Sequence, residues 1–157
     1  RPRHEDIIQA AREVDARVFL ISDGDVAGVF HTTDPSTGID LYIGSGGAPE
    51  GVLAAAALRC VGGQMQGRLL FRNDDERARA EKAGITDLNR KYGLMDMASG
   101  DVMFAATGVT DGTMLKGVRW VGEKVQTHTI VMRSKSGTVR YIDAMSNANS
   151  FNSSYRR

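Results

Sequence analysis

The chain has 157 residues, of which 41% are hydrophobic and 25% charged, and its net charge is +1 at pH 7. This length suits one ordinary domain with a sizeable core, and a charge so near zero gives no electrostatic reason to expect a nucleic-acid or membrane partner. A single cysteine, Cys60, excludes a disulfide within the chain. With no recognisable signal peptide and no apolar run long enough to span a bilayer, we expect a cytoplasmic protein.

The first part of the chain is predicted to alternate between helices and strands. Ile7, Ile8 and Ala11 recur at helical spacing, whereas the apolar run over residues 16–22 barely alternates, which is typical of a strand buried on both faces. The predicted elements are a helix over 4–15, a buried strand over 16–22, a short helix over 26–30, a strand beginning near Ile39 and a helix through the alanine-rich residues 52–58.

The second part of the chain is predicted to contain more strands than helices. The turn over residues 134–137, with its glycine at the last position, indicates a hairpin between two of these strands. The predicted elements are a strand over 65–71, a polar helix over 74–83, a loop over 85–100 with a short helix at 94–98, and strands over 102–107, 118–121, 127–133 and 138–142. Residues 146–157 are polar and are predicted to form a disordered tail after a domain that ends near Met145.

This order of elements predicts an α/β fold in which a sheet has helices on both faces. Ligands of such sheets bind beyond the carboxyl ends of the strands. Three predicted strands end in sharp turns, over residues 23–25, 44–50 and 108–112. If the three strands are parallel, all three turns face one crevice.

The central stretch is a glycine turn, Gly44-Ser45-Gly46-Gly47, between the predicted strand and the alanine-rich helix. Amides exposed at a helix N-terminus can bind an anionic ligand, and Pro49 suits the first helical turn. Glu50 lies in the same turn. Its carboxylate can stabilise the helix dipole, or it can hold a cation beside an anionic ligand, and the sequence leaves both interpretations open.

Two further groups of charged residues admit a binding or a structural interpretation. Asp23 and Asp25 can accept hydrogen bonds from sugar hydroxyls or bind a hard cation such as Mg²⁺, or they can form a turn that caps a helix. Arg1 and Arg3 offer forked donors to a phosphate, or they lie on a solvated surface. The three histidines have no spacing typical of zinc ligands.

Several strings of the sequence carry a more specific signal. They are RPRH at 1–4, LISDGDVA at 20–27, GGAPEG at 46–51, GQMQG at 63–67, ATGVTDG at 106–112 and MRSKSGTVR at 132–140. Together they resemble the class II fructose-1,6-bisphosphatases, most nearly the bacterial GlpX type, a family that in cyanobacteria includes enzymes acting on sedoheptulose 1,7-bisphosphate. The resemblance runs in register from Arg1 to about Met145 and covers only the C-terminal half of the family's chain.

The resemblance implies the layered α/β sugar-phosphatase fold shared with inositol monophosphatases, with residues 1–145 as its C-terminal α/β portion, a mixed sheet flanked by helices. It implies hydrolysis of the 1-phosphate of fructose 1,6-bisphosphate to fructose 6-phosphate and phosphate, a step of gluconeogenesis, with Mg²⁺ or Mn²⁺ as cofactor. The expected partners are the sugar bisphosphate, the N-terminal half of the same enzyme and further copies in a homo-oligomer.

Site residues also follow from the resemblance. Glu50 matches the family's metal-ligating glutamate of this half. The positions that match the family's substrate contacts are Arg1, Pro2 and Arg3 for a phosphate, Asp23, Gly24 and Asp25 for the sugar, and Gly47 for a backbone contact.

Most of the family's metal-binding carboxylates, and the groups that position the attacking water, lie in its N-terminal half. We therefore expect the catalytic residues outside this chain, and we expect the chain alone to be inactive. Its start at Arg1 without a methionine leads us to expect a fragment or a processed chain. The alternative is a non-catalytic module that binds or senses sugar phosphates; the presence of Glu50 favours the enzyme, because a pure binder has less use for a metal ligand.

Overall fold

The computed structural model describes residues 1–148, in which most helices precede a group of antiparallel strands. The helices are α1 (Glu5–Glu13), α2 (Asp25–His31), α3 (Ala48–Val61), α4 (Asp74–Lys82) and α5 (Leu94–Met97), with short 3-10 turns at Pro2–His4 and Pro35–Thr37. The strands are β1 (Gln66–Gly67), β2 (Tyr92–Gly93), β3 (Met103–Thr107), β4 (Arg119–Val121), β5 (Lys124–Arg133) and β6 (Thr138–Asn147).

The helices begin and end where the sequence places its signals. Pro49 lies in the first turn of α3, and the helix ends at Gly62, whose left-handed backbone has a φ of 78°. At the start of α4, the side chain of Asn73 accepts the backbone N–H of Glu76, and the first turn carries three acids. Gly84 follows α4 with a φ of 88°. The predicted helices are confirmed to within a few residues, including the placement of Pro49 and Glu50 in the first turn of α3.

Strand β5 is the centre of the four-stranded sheet. Along one edge it pairs with β6 from Lys124, opposite Asn147, to Arg133, opposite Thr138. Along its other edge β5 pairs with β4 near its start and with β3 over its second half, and every pair is antiparallel. The small sheet of β1 and β2 is antiparallel too. The prediction of a mixed sheet is therefore wrong for residues 1–148: every strand pair is antiparallel, and the parallel part of the predicted sheet needed strands at 16–22 and 39–43, which do not form there.

One face of this sheet packs against α3 and forms the main core. Phe104, Ile130 and Met132 lie on that face and contact Ala57 and Cys60 of the helix. Met103 and Trp120, which the register places on the opposite face, are 72% and 71% exposed. Helices on both faces were predicted, but in the part of the chain that the structure describes only one face is covered.

A second, smaller core lies between α2 and α3. Val29, Ala54 and Leu58 are buried there, and Tyr42 and Met65 pack against them. This cluster connects α3 to the glycine turn that precedes it, so it fixes where the turn lies.

Two predicted strands and most of a third are absent from residues 1–148. Residues 16–22 and 39–43 form no strand ladder, and of residues 65–71 only β1 pairs. Their apolar side chains are largely exposed: Leu20 and Leu41 are each 70% accessible to solvent, and Leu70 is 72% accessible. The apolar pattern specifies an extended segment, but a strand also needs a hydrogen-bonded neighbour, and these segments have none.

The hairpin prediction is confirmed, because β5 and β6 are joined by a turn that ends at Gly137, where φ is 60°. Strand β6 reaches Asn147, two residues beyond the predicted domain boundary at 145. Residues 149–157 of the predicted tail lie outside the described residues. No helix within 1–148 is long and apolar enough to cross a bilayer.

Candidate functional site

A cleft of about 1680 Å³ lies where the N-terminal turn, the loops around residues 16–25 and 38–47, and residues 69–85 meet. Seven of the eight predicted site residues line it: Arg1, Arg3, Asp23, Gly24, Asp25, Gly47 and Glu50. Pro2, which lies between the two arginines and begins the 3-10 turn, does not line the cleft. Residues distant in sequence thus come together in one cleft. Its cationic end, lined by Arg1, Arg3 and His4, adjoins its acidic end, lined by Asp23, Asp25 and Glu50, because Arg3 contacts Ser45 while Asp25 and Glu50 approach the neighbouring Gly46.

Arg3 and His4 at the cationic end both contact Ser45 of the glycine turn. The Arg3 Nε donates to Ser45 Oγ at 2.9 Å, and its Nη2 donates to the Ser45 carbonyl oxygen at 2.7 Å. The Nε2 of His4 lies 3.1 Å from Ser45 Oγ and accepts the Ser45 backbone N–H at 3.3 Å. These bonds hold the N-terminal turn against the glycine turn.

Asp25 at the acidic end begins α2 directly after Gly24. The left-handed backbone of Gly24, with a φ of 77°, turns the chain into the helix. The hydroxyl of Tyr42 donates to Asp25 Oδ1 at 2.9 Å. Burial raises the pKa of Tyr42 to about 12, and the hydrogen bond to Asp25 and the negative charges of Asp25 and Glu50 act in the same direction. The helix-capping interpretation of the acids is not observed, since α2 has no side-chain cap.

Glu50 folds back onto the turn that precedes its helix. Its Oε2 accepts the backbone N–H of Gly47 at 3.0 Å. This contact corresponds to the structural interpretation, in which Glu50 stabilises the start of its helix. Gly46 lies between two carboxylates: a Cβ there would be 3.1 Å from Asp25 Oδ2 and 3.2 Å from Glu50 Oε2. The absence of a side chain at Gly46 is thus what lets both acids approach the turn.

The cleft contains only part of a binding site for a divalent cation. Asp25 and Glu50 approach the same point, but residues 1–148 contain no group of three or more histidine, cysteine or acidic side chains that could hold a metal ion. Mg²⁺ takes an octahedral set of oxygen ligands and Mn²⁺ also prefers oxygen, so two carboxylates leave most positions to other groups. The residues present do not make a complete metal site, and a metal role for Glu50 stays a prediction.

The third predicted turn, at residues 108–112, does not reach the cleft. Strand β3, which precedes it, is antiparallel to its neighbour, and the turn folds onto its own loop instead. Asp111 accepts the Gly117 backbone N–H at 2.9 Å and binds Arg119. The Gly117 N–H and the Arg119 charge lower the pKa of Asp111. The condition for all three turns to face one crevice, that the three strands are parallel, is therefore not met.

Sequence reasoning did not assign a role to Tyr42, Ser45 or His4. Ser45 stands between the glycines and His4 directly follows Arg3, so nearness to predicted site residues was the one available signal. For Tyr42 the signal was weaker, since a tyrosine in an apolar run is typical of an ordinary strand.

Comparisons with known proteins show the family of the chain. The model of the family described as "Bacterial fructose-1,6-bisphosphatase, glpX-encoded" matches residues 1–146. The chain belongs to this family. The predicted resemblance is confirmed.

Two cyanobacterial relatives are each named D-fructose 1,6-bisphosphatase class 2/sedoheptulose 1,7-bisphosphatase. The protein of Microcystis aeruginosa is 40% identical, and that of Synechococcus sp. strain JA-3-3Ab is 41% identical, in both cases over 158 residues, 92% of this chain and 46% of the relative. The chain thus spans about half the length of the curated relatives that it matches.

Proposed function

We propose that the cleft binds a sugar bisphosphate and that this chain is the substrate-binding half of an enzyme that hydrolyses the 1-phosphate of fructose 1,6-bisphosphate. The observation that carries the proposal is the convergence in one cleft of Arg1 and Arg3 with Asp25, Gly47 and Glu50. Two arginines next to carboxylate hydrogen-bond acceptors suit a ligand that carries both a phosphate and hydroxyl groups. Membership of the family supports the same assignment.

In this proposal each end of the cleft recognises a different part of the ligand. Arg1 and Arg3 bind the phosphate that is not cleaved, and Asp23 and Asp25 accept hydrogen bonds from the sugar. Glu50 accepts the Gly47 N–H in the structure, and if its carboxylate held a cation instead, that amide would be free to bind the ligand.

The remaining parts of the proposal come from the family and concern the whole enzyme. Mg²⁺ or Mn²⁺ would supply charge stabilisation at the reacting phosphate, with Glu50 as one ligand and the others from an N-terminal half. The complete protein would have the layered sugar-phosphatase fold, form a homo-oligomer and act in gluconeogenesis in the cytoplasm. Residues that activate the attacking water are expected in the N-terminal half.

Calorimetric titration of the chain with fructose 6-phosphate tests the binding proposal. Arg3→Ala removes a charge-assisted contact and should weaken binding roughly tenfold or more. The control is Arg140→Ala, which removes an exposed arginine of β6, remote from the cleft. Failure of the unmodified chain to bind, or equal affinities for the two variants, would contradict the proposal.

A non-catalytic binding or sensing module is the second candidate. It is favoured by the lack of a group of three potential metal ligands within residues 1–148. Glu50→Gln in the full-length protein separates the two candidates. An enzyme should lose most of its turnover at saturating Mg²⁺ or Mn²⁺, whereas a sensing module has no turnover to lose and should keep its affinity for sugar phosphate.

A further inference from the structure

Tyr42 connects the smaller hydrophobic core to the acidic end of the cleft. Its ring packs against the cluster that contains Val29 and Leu58, so the ring itself is held by the core. It also lies close to Gly28 of α2, where a Cβ would be 2.9 Å from the ring carbon Cε2. A glycine at this point of the helix is what allows the ring to approach so closely.

The hydroxyl of this held ring reaches Asp25. It donates to Oδ1 at 2.9 Å, while Oδ2 lies on the side of Gly46, 3.1 Å from where a Cβ would stand. One carboxylate oxygen is therefore fixed and the other is turned toward the glycine turn. Because the pKa of Tyr42 is about 12, the hydroxyl stays protonated and donates at neutral pH.

We propose that Tyr42 is a positioning residue: its hydroxyl fixes the Asp25 carboxylate so that the other oxygen accepts a hydrogen bond from a hydroxyl of the bound sugar. This inference rests on the proposed function of the cleft. An unrestrained aspartate rotates about two side-chain bonds and must lose that freedom when it binds. A carboxylate already held by Tyr42 loses less, so the ligand binds more tightly.

A purely structural Tyr42 would behave differently. If the ring only fills the core, removal of the hydroxyl leaves the packing on Gly28 and Leu58 unchanged, and any loss of affinity is independent of Asp25. If the hydroxyl acts through Asp25, its removal has no effect once the carboxylate is gone. A double-mutant cycle distinguishes these cases.

The experiment measures the affinity of the chain for fructose 6-phosphate in four proteins: unmodified, Tyr42→Phe, Asp25→Ala and the double variant. We expect Tyr42→Phe to weaken binding roughly fivefold, the size of one net hydrogen bond. In the Asp25→Ala background we expect no further loss. Inorganic phosphate, which has no sugar hydroxyl, should bind equally to the unmodified chain and to Tyr42→Phe.

Tyr141→Phe is the matched control, because it removes a hydroxyl from a tyrosine that is 55% exposed, stacks on His128 and lies outside the cleft. Its affinity should equal that of the unmodified chain. Gly28→Ala is a second variant, which pushes the ring away without removing the hydroxyl and should also weaken binding only when Asp25 is present.

The outcomes separate the two proposals. The positioning role is overturned, while the proposed function stands, if the unmodified chain binds fructose 6-phosphate and Tyr42→Phe binds it equally well. The same holds if Tyr42→Phe lowers the affinity by the same factor with and without Asp25. If the unmodified chain does not bind fructose 6-phosphate, the proposed function fails and the inference fails with it.

Discussion

Arg3 and Ser45 are joined twice, because the Arg3 guanidinium donates to both the hydroxyl and the carbonyl oxygen of the serine, at 2.9 and 2.7 Å. One edge of the guanidinium, formed by Nε and Nη2, is thereby used within the protein. Among residues 1–148 the Arg3 Nη1 makes no hydrogen bond, so its donors are available to a ligand. The orientation of the Arg3 guanidinium is thus set by the glycine turn, 42 residues further along the chain.

Ser45→Ala should weaken binding of phosphorylated sugars without affecting unphosphorylated ones. The variant loses the Oγ contact but keeps the carbonyl contact, so Arg3 becomes only partly free, and we expect a loss of roughly two- to fivefold. Affinities for fructose 6-phosphate and fructose would be compared by calorimetry. Ser136→Ala, in the exposed hairpin turn, is the control. Equal affinity of Ser45→Ala and the unmodified chain for fructose 6-phosphate would show that Ser45 does not orient Arg3.

Gly46→Ala should disturb the acidic end of the cleft while leaving the fold intact. The added methyl group would approach the carboxylates of Asp25 and Glu50 to just over 3 Å, so both must move. We expect fructose 6-phosphate to bind about tenfold more weakly, because two side chains lose their positions. The control is Gly51→Ala, where a Cβ meets nothing within 4 Å and helix propensity even improves. A tight-binding Gly46→Ala variant would contradict the convergence of the two acids.

Helices could be predicted better than strands, because the residues that start and end a helix lie within it or next to it in the sequence. The cap at Asn73, Pro49 near the start of α3 and Gly62 at its end are all readable within a few residues of sequence. The segments at 16–22 and 39–43 carry an equally clear apolar pattern, yet they pair with nothing in residues 1–148. A strand depends on a partner at any distance along the chain, and the pattern of one segment does not specify that partner.

The site could be predicted in part for the same reason. The residues that carry charge, or that allow a close approach, could be named from their types and from the family resemblance, and seven of the eight line one cleft. The residues that hold these side chains in position could not be named from the sequence. Tyr42 reaches Asp25 across 17 residues and Ser45 reaches Arg3 across 42, and neither contact leaves a periodic signal.

The stability of the chain at high pH should depend on Tyr42. Its pKa in the folded chain is about 12, compared with an ordinary value of 10.0, so folding favours the protonated phenol. The stabilisation is fully present below pH 10 and is lost as the pH rises through 12. Urea unfolding at successive pH values should therefore show the unmodified chain losing stability more steeply than Tyr42→Phe over that interval. Parallel curves for the two proteins would contradict a raised pKa at Tyr42.

Leu58→Ala should destabilise the chain far more than Leu53→Ala, although both residues lie on α3. Leu58 is 1% exposed and belongs to the smaller core, whereas Leu53 is 52% exposed. A buried leucine truncated to alanine costs roughly 2–5 kcal/mol, because a cavity remains, and the exposed site should cost well under about 1 kcal/mol. Urea unfolding followed by the fluorescence of Trp120 gives both values. Similar losses at the two positions would show that α3 packs differently from the arrangement described.

The last prediction is that the 157-residue chain alone releases no phosphate from fructose 1,6-bisphosphate. Hydrolysis of a phosphate ester with metal ions needs them fixed around the attacking and the leaving oxygen. Residues 1–148 offer Asp25 and Glu50 near one point, with no group of three potential ligands, so a bound Mg²⁺ would keep most of its water and no fixed geometry.

Phosphate release should be assayed with Mg²⁺ and with Mn²⁺ on the purified chain, its mass confirmed. The full-length Synechococcus relative, of which this chain covers 46%, serves as the positive control. We expect release from the relative and none from the chain, while the chain still binds fructose 6-phosphate, because the proposed binding groups belong to this chain and the catalytic groups are expected in the N-terminal half. Turnover by the chain on the order of 1 s⁻¹, within the usual range of enzymes, would show that this half holds a complete active site and that the proposed division between binding and catalysis is wrong.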